Sequence, residues 1–316
     1  MPKDTLFAIG EALIDFIPHE TGCDFSSVTS FSPKIGGAPA NVLGAFAKLG
    51  GKTQLITQLG TDPFGQKIIR ALSGYHIGTK YITLTNAANT ALAFVSLDKT
   101  GDRTFSFYRN PSADMLYDAK NLKAEWFAPC FALHFCSVSL GETPMKAAHK
   151  RAIKYAKQHG ALISFDPNIR LPLWKDTAAL KKAVDEFLPF ADIIKVSLEE
   201  LPLVTGTSDI EQGCGMLLNH AKLVLCTCGA LGSYAFTERF FVFAPSKQVD
   251  VKDTTGAGDA FCGSFLYSLY RSGTNLENLD HLSQQQLLGF IKCSNGYCEK
   301  SVQAYGAIES YPTVLK

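Results

Sequence analysis

Strand-like and helix-like segments alternate along the chain from Phe131 onward, and this alternation constrains the fold more than any other feature. Short apolar runs are followed by longer segments whose apolar residues recur at helical spacing. Parallel strands need a crossover connection, which is usually a helix. The pattern therefore predicts an α/β fold, a three-layer α/β/α sandwich around a mainly parallel central sheet.

The predicted elements extend from residue 6 to residue 305. Strands are predicted at residues 6–9, 53–57, 133–138, 161–165, 192–196, 223–226, 232–236 and 239–243, and helices at residues 64–72, 144–158, 177–188, 199–204, 210–220 and 284–305. No repeat or linker divides the sequence. We therefore expect a single domain over residues 1–316.

Polar residues directly follow three of the predicted strands. They form the segments 166–170 (Asp-Pro-Asn-Ile-Arg), 197–200 (Ser-Leu-Glu-Glu) and 227–232 (Thr-Cys-Gly-Ala-Leu-Gly). Open α/β sheets bind ligands at the carboxyl ends of their strands, and these ends meet at one edge. We therefore expect the three segments to gather at one site.

The segment 253–261 reads Asp-Thr-Thr-Gly-Ala-Gly-Asp-Ala-Phe, and a helical apolar pattern follows its glycines. The first amides of a helix have no intrahelical partner, so Gly256, Ala257 and Gly258 can direct three amides at an anion. Asp259 lies in the same turn. The segment predicts a phosphate site that contains a carboxylate, although a Gly-x-Gly turn before a helix is more often a plain cap.

Two other nucleotide-binding motifs do not fit the sequence. The dinucleotide-binding fingerprint needs a third glycine where this chain has Phe261. A Walker loop built on Gly51-Lys52-Thr53 would need a glycine at the position of Phe46. A nicotinamide-dependent dehydrogenase is therefore disfavoured.

The N-terminal part contains a second candidate ligand site. Gly36 and Gly37 precede a helix, and glycines in such a turn allow the main chain to approach a small molecule closely. Asn41 in the first turn offers both a donor and an acceptor, which suits a polyhydroxylated ligand. Asp15 lies beyond the end of the first strand. The alternatives are a plain turn for the glycines and a solvated loop acid for Asp15.

A predicted hairpin interrupts the α/β alternation. Its strands are residues 90–97 and 103–108, and its turn is residues 98–102. Together with the extended runs 13–17 and 31–35 it predicts a small separate sheet that covers the site as a lid, formed by about residues 12–36 and 89–112. Exposed strand edges on such a lid favour pairing into a homodimer.

Composition limits the class of partner. The formal net charge is +1, so there is no general attraction to nucleic acid or to an anionic membrane. No signal peptide or membrane span is visible. The nine cysteines include no Cys-x-x-Cys pair, and we interpret them as reduced thiols of a cytoplasmic protein.

The chain resembles the ribokinase-like (PfkB) sugar kinases over essentially its full length. Two motifs carry the resemblance, the Gly-Gly-x-x-x-Asn that ends at Asn41 and the Asp-Thr-Thr-Gly-Ala-Gly-Asp that ends at Asp259. Three further segments, 10–16, 107–114 and 166–170, are most similar to bacterial fructokinases. The resemblance implies a ribokinase-like fold and an ATP-dependent kinase.

The resemblance also implies roles for individual residues. Asp259 would be the catalytic base, and Gly256, Ala257 and Gly258 would form the anion hole. The sugar would be bound by Asp15, Gly36, Gly37 and Asn41, with Arg109, Asn168 and Arg170 facing the sugar or the transferred phosphate. The nucleotide would contact Ser197, Glu200, Thr227, Gly229, Gly232 and Asn295.

Two metal ions follow from the same resemblance. Glu200 would hold Mg²⁺ through water, and Asp253, Thr255, Gly306 and Ser310 would lie near a K⁺ ion. The chain departs from the family pattern at one point, because the usual Asn-x-x-Glu reads Ser197-x-x-Glu200. A serine is shorter than an asparagine, so the direct role of Ser197 is open.

The expected reaction is phosphorylation of the terminal hydroxyl of D-fructose by ATP to give D-fructose 6-phosphate. Aminoimidazole riboside kinase and 2-keto-3-deoxygluconate kinase are alternatives within the family. The second would need cations for the substrate carboxylate, and Arg109 and Arg170 are available in the sequence. A sugar-binding regulator without turnover is the alternative from another class, and the presence of Asp259 favours the enzyme.

Overall fold

A nine-stranded sheet forms the centre of the computed structural model, which describes residues 2–20, 22–23, 25–97 and 103–315. The strands are β1 Thr5–Ile9, β2 Leu13–Pro18, β3 Phe31–Gly36, β4 Lys52–Gly60, β5 Tyr81–Thr85, β6 Leu92–Leu97, β7 Arg103–Tyr108, β8 Cys130–Cys136, β9 Leu162–Asp166, β10 Ile193–Ser197, β11 Leu223–Thr227, β12 Gly232–Phe236 and β13 Phe241–Pro245. The large sheet has the order β13-β12-β11-β10-β9-β8-β1-β4-β5. Its strands pair in parallel except at β12 and β13, which confirms the predicted mainly parallel sheet.

Helices cover both faces of the large sheet. They are α1 Ala38–Lys48, α2 Pro63–Gly74, α3 Pro144–Gln158, α4 Thr177–Phe187, α5 Leu201–Thr205, α6 Ile210–Leu217, α7 Ala257–Arg271 and α8 Gln284–Ser301. One core cluster contains Phe46 of α1, Phe265 of α7 and Ile291 of α8. A second cluster on the other face contains Met145 of α3 and Leu180 of α4. The predicted three layers are therefore confirmed.

The central strands are apolar because both of their faces are covered. β1 and β8 are buried along their whole length. Successive side chains of a strand point to opposite faces, so a strand between two helical layers needs apolar residues at every position.

None of the helices in the described residues has the length and apolar character needed to cross a bilayer.

The predicted hairpin belongs to a separate four-stranded sheet with the order β3-β2-β6-β7. β2 pairs antiparallel with β3 and parallel with β6, and β6 pairs antiparallel with β7. The rings of Phe16 and Phe94 stack between β2 and β6, with their centroids 4.6 Å apart. The small sheet is thus confirmed. Its predicted turn, residues 98–102, lies outside the described residues, and its action as a lid stays a prediction.

Apart from shifts of up to three residues at the ends of other elements, two elements differ from the sequence prediction. The edge strand β5 was not predicted, because its residues are half-buried and form no buried apolar run. The last helix ends at Ser301, although the pattern predicts helix up to residue 305. The Val302 carbonyl accepts the amides of Lys252 and Asp253 instead, at 2.8 and 3.1 Å, and this long-range pairing stops the helix.

Candidate active site

A cavity of about 600 Å³ opens at the carboxyl edge of the large sheet. The three polar segments that follow β9, β10 and β11 meet there with the first turn of α7, as predicted. Its lining includes the predicted site residues Asn168, Arg170, Ser197, Glu200, Thr227, Gly229, Gly232, Gly256, Ala257, Gly258, Asp259 and Asn295. Five predicted substrate-binding residues in the described part of the chain do not line the cavity, namely Asp15, Gly36, Gly37, Asn41 and Arg109.

Asp259 lies at the centre of the site. It is in the first turn of α7, and only 8 % of its surface is exposed. The amide of Asn41 donates to Oδ2 at 2.9 Å, and the amide of Asn168 donates to Oδ1 at 3.3 Å. Burial raises the pKa of Asp259, while the hydrogen bond from Asn41 acts to lower it. The carboxylate is thus held in one orientation and made more basic than a surface aspartate.

The turn before α7 requires a glycine at position 256. Gly256 has a φ of 71°, in the left-handed region, and a side chain there would collide with the Tyr311 hydroxyl and the Ala307 Cβ. The Tyr311 hydroxyl donates to the Gly256 carbonyl at 2.8 Å and so fixes the direction of the turn. The Ala257 amide donates to the Thr254 carbonyl at 3.1 Å. The Ala257 amide can therefore contribute to an anion hole only if its hydrogen bond to Thr254 is shared with the anion or broken.

A buried ion pair that was not predicted from the sequence lies beneath this turn. Lys195 of β10 has its Nζ 3.1 Å from Oδ2 of Asp166 at the end of β9. Burial raises the pKa of Asp166 to about 7 against the attraction of the ammonium group. A lysine inside the apolar strand Ile-Ile-Lys-Val-Ser was the available signal, because buried lysines are rare unless paired.

Glu200 is fixed by backbone amides. Its Oε1 accepts the Ile169 amide at 2.7 Å and its Oε2 accepts the Ser197 amide at 2.9 Å. Burial acts to raise the pKa of Glu200, but the attraction of Lys195 and these amides outweigh burial and lower it. Ser197 Oγ accepts the Glu200 amide at 3.3 Å, so the serine stabilises the local turn. A direct contact of Ser197 with a nucleotide stays a prediction.

The double glycine lies between β3 and α1. Gly37 has a φ of 109°, and a Cβ there would lie 2.6 Å from the Glu11 carbonyl. A side chain on Gly36 would collide with the Asp15 carboxylate, so Asp15 lies directly against the glycines. Glu11, which the sequence analysis missed, is buried and accepts the Ala38 amide at 3.2 Å. The structure brings Asp15 and the glycines together, and their contact with sugar stays a prediction.

The two arginines assigned to the substrate have different surroundings. Arg109 is buried and forms an ion pair with Asp114, and its charge is therefore compensated inside the protein. Arg170 is exposed at the cavity, where its NH1 donates to the Ile169 carbonyl at 2.9 Å. Its positive charge acts to lower the pKa of Asp259. Substrate binding by either arginine stays a prediction.

The residues assigned to the nucleotide include two that serve the local fold. Asn295 donates to the Ala244 carbonyl at 2.9 Å and accepts the Ser233 hydroxyl at 2.8 Å, so it joins α8 to β12 and β13. A side chain on Gly232 would collide with the Ala244 carbonyl. Thr227 ends β11 at the cavity. Their contacts with ATP stay predictions.

The residues assigned to K⁺ are partly joined by hydrogen bonds. Oδ1 of Asp253 accepts the amide and hydroxyl of Thr255 at 2.8 and 2.6 Å, and Oδ2 accepts the Gly306 amide at 2.9 Å. The Ser310 hydroxyl donates to the Ala307 carbonyl at 2.8 Å. The C-terminal loop is thus tied to the start of the motif that ends at Asp259. A cation at this point stays a prediction.

Comparison with known proteins shows the family to which the chain is similar. The model of the pfkB family carbohydrate kinases matches residues 3–314. A probable fructokinase-5 of Arabidopsis thaliana is 39% identical over 310 residues, which cover 98% of this chain and 94% of the relative. A fructokinase from Xylella fastidiosa with bound ATP has a TM-score of 0.88 at 32% identity, over 98% of this chain and 95% of the other. A fructokinase double mutant from Vibrio cholerae O395 with fructose, ADP and potassium ion has a TM-score of 0.85 at 31% identity, over 98% and 96% of the two chains.

Proposed function

This chain belongs to the PfkB family of carbohydrate kinases, and on that premise we propose that it transfers the γ-phosphate of ATP to the terminal primary hydroxyl of D-fructose. The products are D-fructose 6-phosphate and ADP. The observation that carries the proposal is the Asp259 carboxylate, buried at the start of α7 between the amides of Asn41 and Asn168. A carboxylate there can take a proton beside a helix terminus that attracts phosphate.

Asp259 acts as the general base. It takes the proton of the sugar hydroxyl while the sugar oxygen bonds to the γ-phosphorus, and the bond from that phosphorus to the bridging oxygen of ADP breaks. Burial raises the pKa of Asp259, which makes the carboxylate a better base. The buried Oδ1 of Asn41 has no hydrogen-bond partner in the described part of the chain, so it can accept a sugar hydroxyl.

Positioning and charge stabilisation supply the rest of the catalysis. The glycine turn before α7 receives the charge of the transferred phosphoryl group. We assign sugar contacts to Asp15, Gly36, Gly37, Asn41, Asn168 and Arg170, and nucleotide contacts to Thr227, Gly229, Gly232, Ser197 and Asn295. The relative from Xylella fastidiosa that was solved with ATP supports ATP as the nucleotide.

Glu200 would hold Mg²⁺ through water. In nucleotide sites Mg²⁺ keeps several waters and uses one or two carboxylates together with substrate phosphates. Glu200 fits this description, because each of its oxygens accepts one amide and keeps a further lone pair for water. When bound, the ion neutralises charge on the phosphates of ATP.

Residues at the junction of Asp253 and the C-terminal loop would hold K⁺. The donor set of Asp253, Thr255, Gly306 and Ser310 offers carboxylate, carbonyl and hydroxyl oxygens, which suit a hard cation. The fructokinase double mutant from Vibrio cholerae O395 that was solved with potassium ion supports K⁺ as the cation. Replacing K⁺ by Na⁺ should lower kcat, and an equal kcat in both salts would contradict the site.

The ion pair of Arg109 weakens the case for 2-keto-3-deoxygluconate relative to fructose, because it leaves Arg170 as the exposed arginine at the cavity. A substrate carboxylate would need a cation with free charge, and the charge of Arg109 is compensated by Asp114. Fructose carries no charge and needs none. The fructose-bound relative from Vibrio cholerae O395 supports the same choice.

The direct test is a coupled ADP-release assay with fructose, aminoimidazole riboside and 2-keto-3-deoxygluconate. We expect fructose to give the highest kcat/KM. A kcat/KM more than roughly a hundredfold higher for another substrate would replace fructose as the substrate, because discrimination is a ratio of kcat/KM values.

We assign a homodimer through the small sheet and a cytoplasmic location to the same enzyme. Tyr108 is 62% exposed and Phe25 is 42% exposed beside the stacked rings of Phe16 and Phe94, and this exposed aromatic surface suits an interface. Light scattering of the purified chain tests the dimer, and Tyr108→Asp should shift it toward a monomer. The buried free thiols suit a reducing compartment.

A further inference from the structure

Lys195 and Asp166 form a buried ion pair at the floor of the cavity. The two residues lie on neighbouring parallel strands, and only 5% of Lys195 and 1% of Asp166 is exposed. Replacing a buried ion pair by apolar residues is often neutral or stabilising, so stability alone gives weak grounds for keeping one. A pair at this depth beside a catalytic carboxylate therefore calls for a functional account.

The ammonium group of Lys195 lies against the first turn of α7. A Cβ on Gly258 would lie 3.2 Å from Nζ, and Lys195 lines the same cavity as Gly258 and Asp259. The turn is where the charge of the transferred phosphoryl group would arrive. Among the described residues that line the cavity, Arg170 and Lys247 are exposed cations, whereas Lys195 is a buried one, and a buried charge is less screened by solvent.

We propose that Lys195, held in place by Asp166, is a positioning residue for phosphoryl transfer, which keeps Asp259 ionised and adds positive potential beneath the Gly258 amide. This inference rests on the proposed kinase function and goes beyond it, because it assigns a role to a residue outside the base and the glycine turn. The groups that interact electrostatically with Lys195 are Asp166, Glu200, Asp259, His134, Cys226, Cys262 and Cys298. Three of them are carboxylates, and at Asp259 the attraction of Lys195 adds to that of Arg170.

The direction of the electrostatic effects agrees with this role. Burial raises the pKa of Asp259, and Lys195 is among the groups whose attraction works against that rise. Burial likewise acts to raise the pKa of Glu200, and Lys195 opposes it there too. Loss of the ammonium group should therefore make Asp259 harder to ionise.

A double-mutant cycle separates this role from simple structural pairing. Lys195→Met leaves Asp166 buried without its partner, whereas Lys195→Met with Asp166→Asn removes both charges together. If the lysine only neutralises Asp166, the double variant should regain kcat. We expect kcat of the double variant to stay at least tenfold below that of the wild type, with the sugar KM changed less than threefold. A kcat within threefold of the wild type would overturn the proposal.

The pH profile provides a second, independent readout. We expect the acid limb of kcat/KM to move to higher pH in Lys195→Met and to lower pH in Asp166→Asn, which keeps the ammonium group. If the acid limb of kcat/KM does not move in folded variants, the proposal is overturned. If the double variant does not fold, the acid limb of Asp166→Asn alone decides whether the proposal holds.

The substrate question stays separate from this test. A wild type without activity on fructose overturns the fructose assignment alone. The variants are then assayed with whichever sugar of the panel the wild type phosphorylates. The expected ratios of kcat and of sugar KM between variant and wild type stay the same.

Discussion

The side-chain amide of Asn41 lies 2.9 Å from Oδ2 of Asp259, although 218 positions separate the two residues in the chain. Asn41 is in the first turn of α1 and Asp259 is in the first turn of α7, and the two helices pack against each other. Gly263 allows their close approach, because a side chain there would collide with the Val42 carbonyl and the Ala45 Cβ. The packing of α1 against α7 therefore joins Asn41, a predicted sugar-binding residue, to Asp259, the predicted base, by a hydrogen bond.

Asp259→Asn should strongly reduce turnover while sugar binding remains. The amide has nearly the size of the carboxylate but cannot accept the hydroxyl proton, so we expect kcat to fall by about 10²-fold to 10⁴-fold, the range for loss of a general base. Steady-state ADP release gives kcat, and calorimetric titration gives the affinity for fructose. Nearly full activity in the variant would show that Asp259 is not the base. A wild type that binds sugar without turnover would instead favour the non-catalytic regulator.

Asn41→Ala should shift the pH dependence of the reaction as well as weaken sugar binding. The hydrogen bond from Asn41 acts to lower the pKa of Asp259, so its removal should raise that pKa. The base is active when ionised, and the acid limb of kcat/KM should therefore move to higher pH. The matched control is Asn168→Gly, which removes the longer, 3.3 Å bond and suits the left-handed φ of 42° at that position. We expect the acid limb of kcat/KM to shift less in Asn168→Gly than in Asn41→Ala. An equal or larger shift in Asn168→Gly would contradict the role given to the hydrogen bond from Asn41.

Most of the fold could be predicted from the sequence because its signals are local. The apolar run of β8 and the helical spacing of α7 are each contained in a short segment. The glycine turn at 256–258 was also locally visible, since it needs a left-handed residue directly before a helix. Each of these elements can therefore be predicted from its own segment of the sequence.

The parts that were missed depend on long-range contacts. Lys195 reads as one charged residue in a strand, and only the pairing of β9 with β10 shows that Asp166 compensates it. The engagement of Arg109 by Asp114 is likewise a tertiary contact, which the sequence could not distinguish from an available cation. Fine assignments at the site therefore need the structure, even where the motifs are clear.

His149 should make stability fall in mild acid. Burial lowers its pKa from the ordinary value of 6.5 to about 4, so below pH 6.5 the unfolded chain binds a proton that the folded chain does not. The stability from the neutral ring is therefore complete above pH 6.5 and falls by about 1.4 kcal/mol per pH unit toward pH 4. Urea unfolding of the wild type and His149→Gln between pH 8 and pH 5 measures this. The difference between the two free energies of unfolding should be constant above pH 7 and decrease below it, and a constant difference down to pH 5 would contradict the prediction.

Tyr311→Phe should lower kcat without weakening sugar binding. The Tyr311 hydroxyl donates to the Gly256 carbonyl at 2.8 Å, so its loss frees the turn that aims the first amides of α7. A hydrogen bond of this kind contributes about 0.5–1.5 kcal/mol, and we expect a roughly 2-fold to 13-fold fall in kcat with an unchanged fructose KM. Tyr297→Phe is the matched control, because that buried hydroxyl donates to the Ala45 carbonyl of α1 at 3.4 Å. Both variants should lose some stability in urea unfolding, but only Tyr311→Phe should lose kcat. Equal losses of kcat would show that Tyr311 contributes only to general packing.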